Sequence, residues 1–392
     1  MSDDVVKRFR DAQARPPAST PAPTDAKSAS TTSPVPQTRA LIRNHLELKP
    51  LFKIVLTNFV LTVLTLGIYR FWAKARLRQY LWGHAEIMGD RLEYTGTGKE
   101  LFLGFLFIFA VILVPMLAFF AFLDTAMVDA PDLSKVMRDT LQTVLVIFLI
   151  GVAFYRARRY RLTRTHWRGI YGNQTGSAFM YGMLALGSYL ATSTTLGLMW
   201  PMCSIWLKTY EMEHTWVGNQ QPTFKPKASK LYGPFMIAWV GSIALVIAAF
   251  FLIGVGAAAF GLDFEGSSEA GVGVVLAAAA LIYCSIIPVF ALFMWYRGKA
   301  YNHFVSSTRF LGHDITSAIT GAGFAWLTVG NAVLMLLSLG LAAPFVYRRY
   351  LNYVERTVGL SGDGNFSDLL QGEIGKPGTG EGLADAFDVG AI

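Results

Sequence analysis

The stretch LFLGFLFIFAVILVPMLAFFAFL, residues 101–123, contains no charged residue, and neither does GVGVVLAAAALIYCSIIPVFALFMWY, residues 271–296. A helix of about 20 apolar residues is long enough to cross the roughly 30 Å hydrocarbon core of a bilayer. Of all 392 residues, 53% are apolar and 15% are charged, whereas soluble domains carry about 25% charged residues. The sequence therefore predicts an integral membrane protein.

On either side of residues 101–123 the chain contains further apolar segments. We name them A, B, C, A, B, C and A in chain order, because the first, fourth and seventh resemble one another and the third and sixth end in related basic runs. They lie at about residues 51–72, 101–123, 140–155, 178–207, 232–260, 271–296 and 323–347. The sequence thus predicts an all-α membrane fold of repeated helical units with short cytoplasmic β-hairpins.

The three A segments share a pattern centred on a Leu-Gly pair. Glycine is unfavourable in a helix interior, so the pattern predicts helix breaks at Gly67, Gly197 and Gly340. A small polar residue stands nine positions before each glycine, at Asn58, Ser188 and Asn331. The repeats then cover about residues 50–175 and 176–320, with a partial third copy at 321–358.

Short polar runs follow the A and C segments, and each contains a glycine before a polar residue. These pairs begin at Gly89, Gly172, Gly218, Gly312 and Gly362. Glycine followed by Asn or Asp suits a two-residue hairpin turn, because both residues tolerate positive φ. We therefore expect β-hairpins on one side of the membrane, and ordinary loops are the alternative.

Basic residues are distributed unevenly, and the cytoplasmic loops of membrane proteins are enriched in Lys and Arg. The loops between the B and C segments, residues 124–139 and 262–270, are acidic and poor in Lys and Arg, which indicates the outside. The N-terminal tail and the ends of the C segments are basic, which indicates the inside. Both termini are then cytoplasmic, and the number of crossings is even.

Seven apolar segments conflict with an even number of crossings. The conflict is resolved if the B and C segments make four crossings and each A segment enters partway and returns, or turns into an interfacial helix. The alternative is seven crossings, in which two three-span repeats are inverted relative to each other, as in many transporters. That alternative places residues 124–139 inside and the basic run at 156–168 outside.

Both ends of the chain differ from its middle. Residues 1–45 are polar, lack the apolar core of a signal peptide and include a stretch rich in Pro, Ala, Ser and Thr, which predicts a disordered tail. Residues 359–392 are Gly-rich and acidic, which predicts a flexible C-terminal tail. The membrane domain is then residues 46–358.

Two stretches of the sequence resemble the YjgN family of bacterial inner-membrane proteins. They are NFVLTVLTLGIYRFWAKAR, residues 58–76, and YRLTRTHWRGI, residues 160–170. The resemblance covers about residues 50–359 and implies a multi-pass inner-membrane protein with a cytoplasmic C-terminus. Because the function of that family is unknown, the resemblance supplies no catalytic or ligand-binding residues.

Motifs for catalysis are missing from the sequence. It has no Gly-x-Ser-x-Gly, no P-loop and no paired carboxylates inside an apolar segment, so we expect no enzymatic activity and no cofactor. Its six histidines form no metal-binding motif, and Cys203 and Cys284 lie in apolar segments as small hydrophobic residues. The net charge of +8 reflects orientation signals, so nucleic acid is not an expected partner.

Two sets of residues lead to functional hypotheses. Asn58, Ser188 and Asn331 either line a pathway or hydrogen-bond between helices. A basic cluster either orients the protein or binds anionic lipid headgroups, and it comprises Arg156, Arg158, Arg161, Arg164 and Arg168. We expect transport or permeation of a small solute or lipid. The alternative is a membrane scaffold or an anionic-lipid-binding module.

Overall fold

The computed structural model of the chain describes residues 39–127, 131–259, 269–362, 366 and 369–371. Residues 1–38 of the tail predicted at 1–45, residues 372–392 of the tail predicted at 359–392, and most of the acidic loop at 262–270 lie outside the described residues. The described residues form helices and two β-sheets.

The helices are described by their bounds in chain order. They are α1 (Leu48–Leu64), α2 (Arg70–Gly83), α3 (Gly98–Ile108), α4 (Val114–Ala126), α5 (Pro131–Thr163), α6 (Ala178–Thr194), α7 (Trp200–Glu213), α8 (Ser229–Ala259), α9 (Glu269–Ser306), α10 (Gly321–Leu337) and α11 (Ala343–Thr357). A π-helical turn, Phe109–Leu113, joins α3 to α4. The hydroxyl groups of Thr97, Ser177 and Thr320 cap the first turns of α3, α6 and α10.

The strands are short and lie between the helices. They are β1 (Arg39–Ala40), β2 (Ile42–Asn44), β3 (Ala85–Ile87), β4 (Asp90–Tyr94), β5 (Thr165–Trp167), β6 (Ile170–Gln174), β7 (Thr215–Val217), β8 (Thr223–Phe224), β9 (Thr308–Phe310), β10 (His313–Ser317) and β11 (Val358–Ser361). One sheet has the order β1-β11-β10-β9-β8, and the other has the order β2-β3-β4-β5-β6-β7.

Each A segment forms two helices joined by a tight turn. These A hairpins are α1–α2, α6–α7 and α10–α11. In the first, the helix ends at Leu64 and a new helix begins at Arg70. The apolar segment at residues 51–72 is therefore not one straight span.

The B and C segments form two longer helical pairs, α3/α4 with α5 and α8 with α9. Three of these stretches are long and apolar enough to cross a membrane, judged by length and composition: Gly98–Ala126, Asp132–Thr163 and Ser229–Gly256. The fourth, α9, has 38 residues, and its side chains are described mainly from residue 285 onward.

Every helical pair begins and ends at strands that hydrogen-bond to each other. The first A hairpin leaves from β2 and returns to β3, and these strands pair with Asn44 opposite Ala85. The other two A hairpins are flanked by β6–β7 and β10–β11. The B–C pairs are flanked by β4–β5 and β8–β9. Both ends of each pair are therefore adjacent at the sheets.

The two sheets follow each other in a closed order, which we call the strand ring. Only Leu41 separates β1 from β2, and its amide donates to the Val358 carbonyl oxygen at 3.3 Å. At the other junction, β7 and β8 belong to different sheets and follow each other through residues 218–222, within which Gln220 bridges back to Val217 of β7. The helices close in the same order, because each packs on the next along the chain and α11 packs on α1.

Large buried side chains concentrate near the strands. Tyr155, Tyr160 and Tyr296 lie toward the strand ends of α5 and α9, and each is at most 2% exposed. The helix surfaces farther from the strands expose many large apolar side chains, including Phe250 and Phe251. A hydrocarbon environment covers such surfaces without cost.

The chain is mostly helical, as predicted, but it is not all-α, because the strands combine into two sheets. An isolated two-stranded hairpin is only marginally stable in water, so joining neighbouring pairs stabilises each of them. Residues 39–44 form strands although they fall in the N-terminal tail predicted at 1–45, and β11 extends past residue 359. Their partners are distant in sequence, so local composition did not reveal them.

The two-residue turns also differ from the prediction. Between β3 and β4 the left-handed residues are Met88, with φ 53°, and Gly89, with φ 92°. The glycine therefore takes the second left-handed position of the turn and not the first. Gly172 lies inside β6, so a turn at that residue was wrong. The reversal occurs earlier, where Arg168 has φ 53°.

Candidate functional site: the A hairpins and their strand ring

The three A hairpins reverse through turns of the same geometry. The leucine of each Leu-Gly pair has φ between 49° and 51°, and the following Gly67, Gly197 and Gly340 have φ between 88° and 93°. The amide of Gly67 donates to the Thr62 carbonyl oxygen at 2.7 Å, and the other two glycines make the equivalent bond at 2.7 and 2.9 Å. This is the six-to-one bond of a helix that ends in a left-handed residue.

The leucines at these tips have almost no protein contact. Leu66, Leu196 and Leu339 are 95%, 80% and 82% exposed. Leucine in the left-handed region costs roughly 1–2 kcal/mol, and Asn or Gly avoids that cost. An apolar residue at a strained and exposed tip is favourable where the surroundings are hydrocarbon.

The bases of the A hairpins are closed by tyrosines. Tyr80 and Tyr210 each donate a hydrogen bond, 3.0 Å long, to the carbonyl oxygens of Glu47 and Ser177 at the start of the preceding helix. Tyr353 makes the corresponding contact with Thr320 at 3.5 Å. The sequence showed the spacing of these tyrosines, but their backbone partners required the structure.

The predicted polar residues are buried on the first helices of their own hairpins. Asn58, Ser188 and Asn331 are 7%, 5% and 3% exposed. The Asn58 amide donates to the Ala73 carbonyl oxygen at 3.2 Å, and Cys203 Sγ donates to the Ser188 carbonyl oxygen at 3.6 Å. The Asn58 side chain and the Ser188 backbone thus each make a hydrogen bond between the two helices of their hairpin.

Hydrogen bonding at the three positions is incomplete. Within the described residues, Asn58 Oδ1, Ser188 Oγ and both polar atoms of Asn331 have no hydrogen-bond partner. A buried unsatisfied polar group costs about 1–3 kcal/mol. Asn331 is therefore the least stabilising of the three.

Three members of the basic cluster contact carboxylates on other elements. Arg158 lies 3.7 Å from Glu211 on α7, and its guanidinium also donates to Thr215 Oγ1 at 3.1 Å. Arg164 pairs with Glu100 at 3.1 Å and Arg168 pairs with Asp90 at 2.5 Å. The remaining two, Arg156 and Arg161, are partly buried on α5. These ion pairs connect α5 to α7, the residue after α5 to α3, and the β5–β6 turn to β4.

The carboxylate partners were not predicted. Glu211 accepts hydrogen bonds from the Tyr181 hydroxyl at 2.8 Å and from Lys208 Nζ at 2.9 Å, besides lying near Arg158. Glu100 accepts a bond from the Tyr160 hydroxyl at 2.9 Å. The sequence indicated only that so dense a run of arginines requires carboxylate partners. It did not indicate which carboxylates these are.

One histidine of the strand ring is perturbed. Burial lowers the pKa of His166 on β5 below its usual 6.5, Glu93 opposes this shift and Arg164 adds to it. Its Nε2 lies 3.2 Å from Thr95 Oγ1. Among the described residues, no three His, Cys, Asp or Glu side chains gather as a metal-binding group.

Comparison with known proteins gives a family. Residues 47–386 match the family described as "Bacterial protein of unknown function (DUF898)". The chain belongs to this family. The matched residues include all the described helices and most of the strand ring, so the family match covers nearly the whole described fold.

Curated relatives agree with the resemblance seen in the sequence. The chain is 36% identical over 119 residues to inner membrane protein YjgN of Escherichia coli strain K12, and 33% identical over 119 residues to the protein of the same name from strain O157:H7. A Salmonella typhimurium inner membrane protein YjgN is 37% identical over 65 residues.

These relatives are matched over limited stretches. The two Escherichia coli matches cover 30% of this chain and 27% of each relative, and the Salmonella match covers 17% and 16%. The chain thus spans about a quarter of the curated relatives' length. Their names, together with the apolar helices, support the inner membrane as the location. No solved structure matches the chain.

Proposed function

We propose that the chain is a multi-pass inner-membrane protein with four crossing helices and three A hairpins that enter from the cytoplasmic side and return. The support is the pairing of the strands on either side of every A hairpin. Seven crossings would place these paired strands on opposite faces of the bilayer. In this topology the three A units are copies of one repeat, and both termini are cytoplasmic.

The depth of the A hairpins supports the functional part of the proposal. The indole of Trp239 donates to the Leu196 carbonyl oxygen at the tip of the second hairpin, at 3.2 Å. Trp239 lies ten residues after the start of α8, which corresponds to about 15 Å along a helix whose 31 residues extend about 46 Å. The tip therefore reaches only part of the way along α8.

A route that opens into the bilayer follows from this difference in height. Near the strands, the helices of all five pairs pack side by side in a closed circle. Beyond the tips of the A hairpins, only the B and C helices continue. The space inside the circle is then open sideways to hydrocarbon. We propose that the protein provides a permeation route for a lipid or a similar amphiphile.

The pattern of buried charge favours a lipid over an ion. Within the described parts of the three apolar stretches, no Asp, Glu, Lys or Arg is buried, whereas ion-coupled transporters place ionisable groups inside the membrane. An open apolar groove of about 660 Å³ lies between α8 and α9, and Gly241, Ala244, Pro288 and Leu292 contribute to its lining. An acyl chain suits such a groove.

Lipid transfer between leaflets tests this function. Purified protein is reconstituted into phospholipid vesicles that contain a fluorescent phosphatidylcholine, and dithionite bleaches the label exposed outside. We expect bleaching to proceed well beyond the outer-leaflet half, and Ala244→Phe, which fills the groove, to slow it several-fold. Ala258→Phe, at an exposed position of the same helix, is the matched control. Bleaching that stops at one half, as in protein-free vesicles, contradicts lipid permeation.

A membrane scaffold that binds anionic lipid is the second candidate. Arg70 and Arg76 on α2 and Arg348 on α11 are exposed on the second helices of their hairpins, and α2 contains no acidic residue. In a cytoplasmic leaflet these side chains reach the headgroups. Absent lipid transfer together with selective binding to phosphatidylglycerol vesicles favours this candidate. Both functions are non-enzymatic.

A further inference from the structure

Residues near the C-terminus contact the strand ring. With β1 and β2 counted as one position, four strand positions separate β5 from β10 in either direction around the ring. These two strands are therefore opposite each other. Trp167 on β5 and His313 on β10 are buried, at 8% and 5% exposed.

A single side chain touches both of these residues. The ring of Phe366 lies 4.8 Å from His313 in a stacked arrangement and 5.8 Å from Trp167 in an edge-on arrangement. Because its neighbours belong to opposite strands of different sheets, Phe366 lies across the lumen of the ring. Aromatic pairs at these separations are attractive.

The residues that follow are held at the junction between the sheets. The amide of Asn219 donates to the Leu370 carbonyl oxygen at 3.0 Å, and the Leu370 amide donates to Asn219 Oδ1 at 3.1 Å. The Tyr171 amide donates to Gln371 Oε1 at 2.9 Å. Leu369 is buried, at 6% exposed.

This attachment occurs where the ring is least continuous. Asn219 belongs to the connection between β7 and β8, residues 218–222, which links the two sheets along the chain. Gly218 fits closely there, because a Cβ atom at this residue would overlap the Leu370 carbonyl oxygen. The Asn219–Leu370 hydrogen bonds and this close fit make the attachment specific.

We propose that Phe366 and residues 369–371 form a plug that closes the cytoplasmic end of the permeation route. The aromatic ring of Phe366 occupies the lumen and joins the two sheets through its contacts with Trp167 and His313. Its release opens the ring to the cytoplasm. This regulation rests on the proposed lipid permeation, but the contact itself is independent of it.

Two pairs of variants test the plug in the full-length protein. Phe366→Ala removes the ring from the lumen, and Leu370→Ala is its control, because the Leu370 side chain is 64% exposed and its contacts use the backbone. Gly218→Ala displaces the plug by overlap. Gly169→Ala is its control, since Gly169 also has positive φ but has open space around its Cβ position.

Two readouts separate the plug from the permeation function. Hydrogen exchange at the Asn219 amide should become at least tenfold faster in Phe366→Ala and Gly218→Ala and stay within twofold of wild type in both controls. Lipid transfer should rise several-fold in the same two variants only. Unchanged exchange overturns the plug. Faster exchange with unchanged transfer, in a protein that does transfer lipid, overturns its regulatory role. If neither wild type nor Phe366→Ala transfers lipid, the permeation function is overturned. Hydrogen exchange at the Asn219 amide then still tests whether the plug is in contact with the ring.

Discussion

The hydroxyl of Tyr80, in the last turns of α2, donates to the carbonyl oxygen of Glu47, the residue that precedes α1, at 3.0 Å. The two residues are separated by a complete helical hairpin, so this bond closes the hairpin at its base. Tyr210 and Ser177 repeat the relationship in the second copy. An A segment that crossed the membrane would separate these partners by the thickness of the bilayer.

Replacing a tip leucine with asparagine tests whether the tips lie in hydrocarbon. Leu66→Asn relieves roughly 1–2 kcal/mol of left-handed backbone strain, but it removes about 1.5–3 kcal/mol of leucine burial and adds the cost of a buried amide. We expect the free energy of unfolding in lipid bicelles to fall by about 1–3 kcal/mol.

Leu311→Asn is the matched control for the tip variant. Leu311 has the same φ of 51° as Leu66, but it lies in the β9–β10 turn of the strand ring. In water the strain relief dominates, so we expect a change between zero and about 1 kcal/mol of stabilisation. Equal stabilisation at both positions contradicts a hydrocarbon environment at the tip.

Substituting the buried asparagines separates packing from a pathway. Asn58→Leu removes a hydrogen bond to Ala73, and we expect a loss of about 1 kcal/mol in the free energy of unfolding. Asn331→Leu replaces a residue whose polar atoms lack partners within the described chain, so we expect no loss or a gain of about 1–3 kcal/mol. Lipid transfer should persist in both. A loss of lipid transfer with an unchanged free energy of unfolding would instead support the hypothesis that these residues line a pathway.

The stability of the strand ring should depend on pH through His166. Its folded pKa lies below the unfolded value near 6.5, so the neutral form is favoured in the folded state. Its contribution is complete above pH 6.5 and is lost as the pH falls from 6.5 through the lowered pKa. Unfolding midpoints at pH 7.5 and 5.5 measure this loss, and the pH dependence should be smaller in His166→Asn. An identical dependence in the variant excludes His166 as its source.

The ion pair between Arg164 and Glu100 should contribute modestly. Its side chains are 26% and 39% exposed, so solvent screens the attraction and the coupling is at most about 1 kcal/mol. A double-mutant cycle with Arg164→Gln and Glu100→Gln measures it, at low and high salt. Coupling well above that value would indicate a site drier than the structure shows.

Some of the architecture could be read from the sequence, because it depends on local pattern. Uncharged stretches identified the membrane class, and the Leu-Gly pairs marked the positions where the A helices reverse. The sheets could not be predicted in this way. The partner of β1 lies more than 300 residues away in β11, with Arg39 opposite Leu360, and strands of two or three residues carry almost no periodicity.

The candidate sites were predictable only as positions. Composition showed that the arginines after α5 are dense, but their distribution between Glu211, Glu100 and Asp90 depends on three-dimensional proximity. The plug was hidden for another reason. Phe366 lies in a Gly-rich stretch that resembles a flexible tail, and its attachment depends on Trp167 and His313, which are distant in sequence.

Accessibility of the two ends of one A hairpin tests the central claim most directly. Single cysteines are placed at Thr175 and Gln221, on either side of α6–α7, and at Thr125 as a reference from the opposite end of the B–C pair, in a protein whose Cys203 and Cys284 are replaced by Ala. A membrane-impermeant maleimide is applied to intact and to permeabilised cells. Four crossings predict that Thr175→Cys and Gln221→Cys are labelled from one side, the cytoplasm, and Thr125→Cys from the other. Labelling of Thr175→Cys and Gln221→Cys from opposite sides would contradict the returning hairpin.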